Sequence, residues 1–590
     1  MKILGLSAFY HDSAAALIID GEIIAAAQEE RFTRKKFDSG FPSQSIQFCL
    51  EKAGLQLSDL DEIVYYEKPF LSFERLLQSI IATAPRSLLT FLSAMPIWMR
   101  EKLDTRGTLK KKFQKQFPGV VLPAITFSQH HLSHAASAFY PSPFESAAIL
   151  CLDGVGEWAC TTAWVGHGNK IESLWEMHFP HSLGMLYSAF TYFCGFKVNS
   201  GEYKLMGLAP YGKPIFAQKI KDNLLDIKED GSFRLNMDYF SFASSLKMTN
   251  QKFADLFGVE VRQPESAMTQ IYKDLAASIQ QVTEEIMVRL ARTIRRDSGQ
   301  ENLCLSGGVA LNCVANGIIA RENIFKNIWI QPAAGDAGSA LGAALASYYL
   351  QHEKTREVQK PDSMKAAFLG PIFSNDEIRN FLIEVGAHFE ELSHDNLLQL
   401  ATKDLMDQKV VGWFQGSMEY GPRSLGARSI LGDPRDPQMQ SRMNLKIKYR
   451  ESFRPFAPIV LAEKVSNVYQ DNFDNPYMLL VTHVKETHAK SLPAVTHVDG
   501  SARIQAVSQN ENPLLHDLLK SFEAATGCPV LVNTSFNVRG EPIVCSPKDA
   551  LRCFIQTEMD SLFLGSFYLK KENQKFSRDD RRWRVRYELD

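Results

Sequence analysis

Two copies of one strand pattern in the first half of the chain constrain its fold more than any other feature. In the first copy, apolar segments at residues 3–6, 14–19 and 22–27 are separated by a loop and a turn. The same order of strand, loop, strand, turn and strand begins again at Ala147, about 145 residues further along, as in an internal repeat. Apolar segments of this length between polar and glycine-rich turns predict β-strands. The pattern therefore predicts a duplicated α/β domain pair.

Length and composition narrow the class of protein. A chain of 590 residues is too long for a single core, so we expect about two to four domains. A net charge of −2 with 22% charged residues is typical of a soluble protein and disfavours a nucleic-acid partner. The most apolar segment, residues 76–99, contains Pro85, Arg86 and Pro96, so we expect amphipathic helices there and no membrane contact.

The nine cysteines are scattered and form no CxxC pair. Several lie in apolar segments, where a free thiol packs well. This distribution favours a reducing, cytoplasmic environment without disulfides or a zinc ribbon. The amino-terminal segment turns polar at His11 and Asp12, so we expect no signal peptide.

A histidine pair follows the strand-like segment at residues 124–127. His130 and His134 are four residues apart in an alanine-rich stretch, and in a helix this spacing places both imidazoles on one face. Two acids, Asp153 and Asp336, stand at glycine-rich strand ends, where α/β folds place chemistry. Together these side chains predict a metal site. The alternative is that the histidines only cap and pack a helix.

Glycine pairs mark two further strand-to-helix junctions. The apolar segment 303–306 runs into Gly307 and Gly308, and Gly338 and Gly342 open a stretch of small residues. Backbone N–H groups at such a junction can face an anion, while the missing side chains let a phosphate or ribose approach. These junctions predict nucleotide binding, although the tight packing of a helix on a strand also requires glycine.

Beyond a polar, linker-like stretch at residues 352–363 the pattern of the chain changes. Cations then lie within apolar and Gly/Pro-rich sequence, as Arg454 does in residues 453–458. A buried arginine is costly unless an anion meets it, and phosphates match its bidentate geometry. The cluster predicts a phosphate-rich ligand, such as a nucleotide with a small phosphorylated donor. The alternative is a salt-bridge network with Glu451 or Glu541.

A series of motifs runs in order along the chain. They are HDSAA at 11–15, EERF at 29–32, HHLSH at 130–134, GEYKLMGLA at 201–209, GG at 307–308, GPR at 421–423, RPFAP at 454–458 and NTSFN at 533–537. With these motifs the chain resembles the carbamoyltransferases of the NodU/CmcH family over essentially its full length. The resemblance implies an α/β protein with a duplicated actin-like ATPase domain, similar to TsaD, at residues 1–355 and a YrdC-like α/β domain at residues 356–590.

The resemblance also implies a reaction that begins in the second domain. There, carbamoyl phosphate and Mg-ATP would give carbamoyl adenylate, with release of phosphate and pyrophosphate. The phosphates would be bound by five cations, Arg423, Arg428, Lys448, Arg454 and Arg503. The carbamoyl and ribose groups would be held by Asn533 and Ser535. Fixed cations of this kind stabilise the charge that moves onto a leaving group.

In the first domain the resemblance implies a metal site and an adenylate site. A divalent metal of the iron type, Fe(II), would act as a Lewis acid on the four ligands His130, His134, Asp153 and Asp336. The adenylate would lie against Gly307, Gly308 and Asn312, with Lys204 either facing the same cleft or lying on the surface. His11, beside Asp12, is the candidate base; the alternative is a packed histidine at the end of a strand.

The acceptor would be a hydroxyl group of a small-molecule natural product or sugar. Residues 71–117 carry no recognised motif and could form part of its pocket. Two other functions stay open. A tRNA-modification enzyme of the threonylcarbamoyl type is disfavoured by the near-neutral charge, and a non-catalytic nucleotide-binding scaffold is disfavoured by the second phosphate site. The sequence does not identify the acceptor, choose Fe(II) over another divalent metal or decide whether the chain forms a homodimer.

Overall fold

The computed structural model describes residues 1–88, 91–92, 104–450, 454–576 and 587. The chain forms two compact units. Unit 1 contains residues 1–29 and 37–363, and unit 2 contains residues 30–36 and 364–590. Among the described residues, none of the helices is long and apolar enough to cross a membrane.

Unit 1 is built on two five-stranded sheets. Its strands are β1 (Lys2–Ser7), β2 (Ala14–Ile19), β3 (Glu22–Gln28), β4 (Glu62–Tyr65), β5 (Ala124–Phe127), β6 (Ser146–Leu152), β7 (Ala159–His167), β8 (Lys170–His178), β9 (Leu225–Ile227), β10 (Phe233–Leu235), β11 (Asn302–Ser306) and β12 (Asn327–Ile330). The strand orders are β3-β2-β1-β4-β5 and β8-β7-β6-β11-β12. β1 pairs antiparallel with β2 and parallel with β4, and β6 pairs antiparallel with β7 and parallel with β11. The two copies of the predicted strand pattern are therefore the matching strands β1–β3 and β6–β8.

Helices and loops connect these strands. The helices of unit 1 are α1 (Ser43–Ala53), α2 (Pro69–Ala82), α3 (Thr105–Gln116), α4 (His130–Phe139), α5 (Leu183–Phe193), α6 (Glu202–Leu208), α7 (Ala217–Asn223), α8 (Gln251–Phe257), α9 (Gln270–Ser298), α10 (Cys313–Arg321) and α11 (Asp336–Ala346). The alanine-rich helices α4 and α11 are almost entirely buried, because short side chains let them pack against each other and against the sheets.

Missing side chains bring α11 into close contact with its neighbours. A methyl group on Gly342 of α11 would lie 1.8 Å from the carbonyl oxygen of Ser133 in α4. A methyl group on Gly5 of β1 would lie 1.9 Å from the carbonyl oxygen of Ala340 in α11. Since backbone atoms cannot move aside as side chains can, both positions require glycine. The distance between α4 and α11, which carry three of the predicted metal ligands, is therefore determined by Gly342.

Unit 2 is organised around one eight-stranded sheet of order β13-β22-β21-β14-β15-β20-β16-β19. Its strands are β13 (Glu390–Glu391), β14 (Val411–Phe414), β15 (Arg428–Gly432), β16 (Ala457–Leu461), β17 (Val481–His483), β18 (Ser501–Arg503), β19 (Gln505–Val507), β20 (Val530–Ser535), β21 (Ser561–Leu564) and β22 (Phe567–Lys570). Its helices are α12 (Asn375–Val385), α13 (His394–Met406), α14 (Met439–Arg442), α15 (Val465–Val468), α16 (Glu486–Ala489), α17 (Pro513–Thr526) and α18 (Pro547–Gln556). A helical turn at Glu30–Thr33 also belongs to this unit.

The close approach at Gly342 can be tested by substitution. Gly342→Ala gains about 1 kcal/mol of helix propensity, but a methyl group 1.8 Å from a backbone oxygen overpacks the interface at a typical cost of about 1–3 kcal/mol or more. We expect a net loss in the free energy of unfolding, measured by urea denaturation. Gly154→Ala is the control, because its added methyl group meets no heavy atom within 4 Å. Equal stability of the Gly342 variant and the wild type would contradict the contact.

Candidate functional site

Four side chains of unit 1 converge on one point. His130 and His134 lie on α4, Asp153 directly follows β6, and Asp336 begins α11. His130 Nε2 lies 3.3 Å from Asp153 Oδ2 and 3.6 Å from Asp336 Oδ1, and His134 Nε2 lies 3.6 Å from Asp336 Oδ1. All four ligand atoms lie within 4.8 Å of one another. A tetrahedral site with bonds of about 2.1 Å has donor–donor edges of about 3.4 Å, so this donor set fits a divalent cation.

Burial makes the charges of these four side chains depend on one another. Burial alone would lower the pKa of His130, but the Asp336 and Asp153 carboxylates outweigh it and raise that pKa to about 10. Burial would raise the pKa of Asp153, but the hydrogen bond with His130 and the charge of His134 hold it well below its usual range. With neutral imidazoles the two carboxylates leave a net negative charge in the protein interior, which a divalent cation would balance.

Outer hydrogen bonds orient two of the four ligands. His134 Nδ1 lies 3.1 Å from Ser339 Oγ, so that Nε2 of the same ring faces the carboxylates. The backbone N–H of Gly308 donates to Asp153 Oδ1 at 2.9 Å, which leaves Oδ2 towards His130. Such contacts fix the orientation of metal ligands. Sequence reasoning missed Ser339, because a serine in a small-residue helix carries no ligand-like spacing.

His131, which directly follows His130 on α4, lies outside the group of four predicted metal ligands. Its Nδ1 atom is 2.9 Å from Thr162 Oγ1. Burial, followed by the neighbouring charges of His130 and His134, lowers the pKa of His131 to about 3. The ring is therefore neutral and serves as a packed, hydrogen-bonded side chain.

His11 and Asp12 lie beside the four ligands, in the loop after β1. His11 Nδ1 is 3.4 Å from Asp12 Oδ2, and His11 Nε2 is 3.6 Å from Asp336 Oδ2. Burial would lower the pKa of His11, but Asp336 and Asp12 outweigh it and raise that pKa to about 9. The ring therefore holds a proton at neutral pH. A ring that holds a proton cannot accept another, so a role of His11 as a base requires a lower pKa than these two carboxylates give it.

The glycine-rich junction after β11 lies next to the same acids. Gly307 has a φ of +88°, and a methyl group there would lie 2.2 Å from the carbonyl oxygen of Leu152. Asn312 caps α10, and its side-chain amide exchanges two hydrogen bonds of 3.1 Å with Gln280 of α9. Gln280 also accepts a hydrogen bond from Tyr187. Gly308 and Asn312 are thus held rigidly, the first against Asp153 and the second by a glutamine that sequence reasoning did not single out.

Lys204 is a buried residue of α6, with 2% of its surface exposed. Its Nζ atom lies 6.0 Å from the centre of the Phe196 ring. The alternative that this lysine lies on the surface is therefore wrong.

The predicted acceptor region at residues 71–117 is described only in part, because residues 89–90 and 93–103 lie outside the described chain. In the described part, Arg75 of α2 donates to the carbonyl oxygen of Gly156 and its guanidinium lies 5.6 Å from the centre of the Phe179 ring. Gly156 lies three residues after Asp153. Arg75 thus connects α2 to the loop of a predicted metal ligand, which no sequence motif indicated.

In unit 2, Lys448 and Ser535 lie together. Lys448 is buried, and its Nζ atom donates to the carbonyl oxygen and hydroxyl of Ser535 and to Asn537 Oδ1, the last at 2.7 Å. Ser535 Oγ also donates to Asn537 Oδ1 at 2.7 Å. Burial, followed by the nearby Arg450, holds the pKa of Lys448 well below its usual range. Asn537 belongs to the NTSFN motif, but sequence reasoning gave it no role.

Asn533 connects two of the motifs of unit 2. Its Nδ2 atom donates to the carbonyl oxygen of Ser424 at 3.1 Å, directly after Arg423, and to Gln505 Oε1 at 3.3 Å. In the sheet, Asn533 of β20 is opposite Ala457 of β16. The structure therefore brings the GPR, RPFAP and NTSFN segments to one part of the sheet.

Two further predicted cations, Arg454 and Arg503, also belong to unit 2. Arg454 accepts a hydrogen bond on its backbone oxygen from Asn444 Nδ2 at 2.9 Å. Arg503 ends β18 and pairs with Val481. Of the two acids considered as salt-bridge partners, Glu451 lies outside the described residues, and Glu541 forms ion pairs with Arg34 at 3.1 Å and Arg552 at 3.7 Å.

Arg428 has the contacts of a structural residue. Its side chain is fully buried, lies over the Phe414 ring at 3.6 Å and donates to four backbone carbonyl oxygens, those of Pro371, Gln415, Gly416 and Ala427. Burial lowers its pKa to about 10. Because both terminal nitrogens are occupied by main-chain acceptors, we leave Arg428 out of the phosphate-binding group.

Two family profiles match the chain. The profile described as "Carbamoyltransferase N-terminus" matches residues 2–345, and that described as "Carbamoyltransferase C-terminus" matches residues 402–571. The chain is 56% identical to an uncharacterised protein of Synechocystis sp. over 100% of both chains. It is 39% identical to nodulation protein NolNO of Sinorhizobium fredii, covering 95% of this chain and 79% of that protein, and 29% identical to nodulation protein U of Rhizobium tropici, covering 92% and 91%.

The predicted metal ligands can be tested without any substrate. We expect Asp336→Asn to reduce the affinity for Fe(II) or Mn(II) at least tenfold, because it removes one charge from a buried donor set. Ser339→Ala should reduce the affinity about 10–100-fold, since it releases the His134 ring. Anaerobic titration calorimetry measures both. His178→Ala is the control, because His178 is exposed and its side chain contacts Glu176 and the Trp158 ring, neither of which belongs to the predicted metal site. An unchanged affinity in Asp336→Asn would exclude this site.

Proposed function

The chain belongs to the carbamoyltransferase family and is a carbamoyltransferase, and we propose that it makes carbamoyl adenylate in unit 2 and transfers the carbamoyl group to a hydroxyl in unit 1. The observation that carries this proposal is the presence of two separate polar centres. Unit 1 holds a buried His/Asp group beside a glycine-rich junction, and unit 2 holds a buried lysine among the family's motif segments.

The proposal includes the finer fold assignment. The equal strand orders of the two sheets in unit 1 support an actin-like, TsaD-like domain at residues 1–355. The single large sheet of unit 2 is compatible with a YrdC-like domain at residues 356–590. The buried state of all nine cysteines supports a reducing, cytoplasmic setting.

In unit 2, water would first release phosphate from carbamoyl phosphate and leave carbamate. A carbamate oxygen would then attack the α-phosphorus of Mg-ATP, forming carbamoyl adenylate and breaking the bond to pyrophosphate. Arg423, Arg454 and Arg503 are the proposed phosphate ligands, because fixed cations stabilise the charge on a departing pyrophosphate. Lys448 acts differently from a free cation, since it holds Ser535 and Asn537 in place. Asn533 and Ser535 would contact the carbamoyl and ribose groups.

In unit 1, the adenylate would lie against Gly307, Gly308 and Asn312, with Lys204 nearby. A divalent cation, Fe(II) in our proposal, supplies Lewis-acid polarisation of a ligand oxygen when bound by His130, His134, Asp153 and Asp336. His11 would take the proton from the acceptor hydroxyl, whose oxygen attacks the carbamoyl carbon and displaces AMP. Neutralisation of Asp336 by the cation would lower the pKa of His11 towards the range that a general base needs.

The acceptor class follows from the same chemistry. An activated carbamoyl group beside a histidine suits attack by the hydroxyl of a small molecule, such as a natural product or sugar. The alternatives are a tRNA-modification enzyme and a nucleotide-binding scaffold. The net charge of −2 gives no support to the first, since binding to a nucleic-acid backbone relies on excess positive charge.

The adenylation half-reaction can be tested without knowing the acceptor. We expect purified protein with Mg-ATP and labelled pyrophosphate to exchange label into ATP, and to do so only with carbamoyl phosphate. Exchange without carbamoyl phosphate would indicate a different adenylated substrate. A complete lack of exchange in folded, metal-loaded protein would favour the tRNA or scaffold alternatives, which a tRNA gel shift would then separate.

The assignment of the two half-reactions to the two units leads to a further prediction. Arg454→Ala should reduce exchange at least a hundredfold and leave metal affinity unchanged. His130→Ala should abolish metal binding and leave exchange unchanged. Arg379→Ala serves as the control, because Arg379 is a half-buried side chain that contacts Asp376, Glu391 and the Phe567 ring, none of which is a predicted site residue. If either Arg454→Ala or His130→Ala lost both pyrophosphate exchange and metal binding while remaining folded, the assignment of the two half-reactions to separate units would be wrong.

A further inference from the structure

The EERF motif at residues 29–32 and the residues that follow it have no role in the function proposed above, yet the structure gives them a defined place. Glu29 belongs to unit 1, whereas residues 30–36 belong to unit 2, and the chain returns to unit 1 at Phe37. A segment near the amino terminus is thus a structural part of the unit formed otherwise by residues 364–590.

The first residue of the motif anchors the segment within unit 1. The Glu29 carboxylate accepts hydrogen bonds from the backbone N–H groups of Gln44, at 3.1 Å, and Ser45, at 2.8 Å. These groups lie in the first turn of α1, whose N–H groups have no partner within the helix. A carboxylate at this position is favourable because of the helix dipole. Glu29 therefore determines where the chain leaves unit 1.

Arg31 contacts the GPR turn of unit 2. Its Nη2 atom donates to the carbonyl oxygen of Gly421 at 2.7 Å, and its Nη1 atom lies 2.9 Å from Glu30 Oε1. Both side chains are buried, with exposures of 3% and 7%. A buried arginine paired with its neighbouring acid is nearly neutral as a pair. Its remaining donors can therefore hold a backbone oxygen two residues before Arg423.

Arg34 contacts the segment that follows the NTSFN motif. Its Nη1 atom donates to the carbonyl oxygen of Ile543, and its Nη2 atom donates to that of Pro542, both at 2.6 Å. Nη2 also donates to Glu541 Oε1 at 3.1 Å. One guanidinium thus binds three consecutive residues, which its planar array of donors allows and a lysine could not reproduce.

A continuous chain of hydrogen bonds leads from Arg34 to Lys448 and Ser535 in the proposed adenylate-forming site of unit 2. The backbone oxygen of Glu541 accepts from Asn537 Nδ2 at 2.6 Å. Asn537 Oδ1 in turn accepts from Lys448 Nζ and Ser535 Oγ, both at 2.7 Å. Removing Arg34 would release the segment 541–543, and with it the amide that orients Lys448 and Ser535.

We propose that Arg31 and Arg34 are positioning residues of the adenylate-forming site in unit 2. Arg31 holds the GPR turn and Arg34 holds the loop after the NTSFN motif, so that the phosphate-binding and carbamoyl-binding segments face the ligand in fixed positions. The inference rests on the proposed adenylation. Its consequence is that residues 364–590 alone lack two of the side chains that shape their own site.

The test uses the full-length chain with Arg31→Ala, Arg34→Ala and the corresponding lysine variants. In carbamoyl phosphate-dependent pyrophosphate exchange, we expect each alanine variant to lose at least tenfold in kcat/KM, mainly through a higher KM for carbamoyl phosphate. The metal affinity of unit 1 should not change. Added guanidinium ion should restore part of the Arg34→Ala activity, because it can occupy the vacated position. The Arg34→Lys variant should be less active than Arg34→Ala with added guanidinium, since an ammonium group cannot bind all three acceptors of Arg34.

The control variant is Arg435→Ala. Arg435 is an arginine of the same unit that pairs with Asp433 and lies 5.2 Å from the Phe522 ring centre, and it has no part in the proposed site. We expect its kcat/KM to equal that of the wild type. Wild-type kinetics in both alanine variants would overturn the inference. An equal loss of exchange, metal affinity and thermal stability would also overturn it, because it would indicate a global role. If the alanine variants do not fold, the lysine variants decide by the same criteria.

Amide hydrogen exchange separates this inference from the proposed function. The N–H of Val538 donates to Glu541 Oε2 at 3.0 Å, and the N–H of Val544 donates to the carbonyl oxygen of Phe536 at 2.9 Å. We expect both amides to exchange faster in Arg34→Ala and to be unchanged in Arg435→Ala. If the wild type shows no pyrophosphate exchange while these amides respond, the proposed reaction fails and the positioning role stands. If the wild type is active and the amides and kinetics do not respond, only the positioning role fails.

Discussion

The burial of two carboxylates beside two imidazoles is the interaction on which the arrangement of unit 1 depends. Asp153 and Asp336 come from the end of a strand and the start of a helix, and both face His130 and His134. A buried charge without a partner costs several kcal/mol, so these elements must meet with the side chains in contact. The glycines that let α11 approach α4 and β1 make that meeting possible. Helix packing and site chemistry are therefore one constraint.

In unit 2, basic side chains are stabilised in the interior mainly by backbone carbonyl oxygens. Its buried and partly buried basic side chains donate largely to backbone carbonyl oxygens, as do those of Arg428, Lys448, Arg31 and Arg34. These hydrogen bonds offset the loss of hydration that burial imposes on the basic groups. These contacts also fix the backbone of glycine- and proline-rich turns that have no regular secondary structure. In a unit that we propose to bind phosphates, rigid turns are favourable because they hold the ligand-binding groups in fixed positions.

Much of the local structure was predictable from the sequence. The strand predicted at residues 14–19 is β2 itself, and the other strands of the pattern differ from their predictions mainly at their ends. The histidine spacing placed His130 and His134 on one face of a helix, and the structure places their Nε2 atoms 3.1 Å apart. Arg428 shows the limit of such reasoning. Its position in a charged, glycine-rich segment is typical of a phosphate-binding arginine. In the structure, however, the side chain turns inward and lies over the Phe414 ring.

The sequence by itself determined the periodic features: the repeated strands, the helical histidine pair, the acids at strand ends and the glycines at junctions. These depend on neighbours within a few residues, where spacing alone dictates which side chains share a face. Only the tertiary structure decided which distant groups meet. Ser339 orients His134, Gln280 binds Asn312, and Arg34 reaches residues more than 500 positions away. Such contacts arise because a buried donor must find an acceptor wherever the chain brings one, and no local pattern encodes that partner.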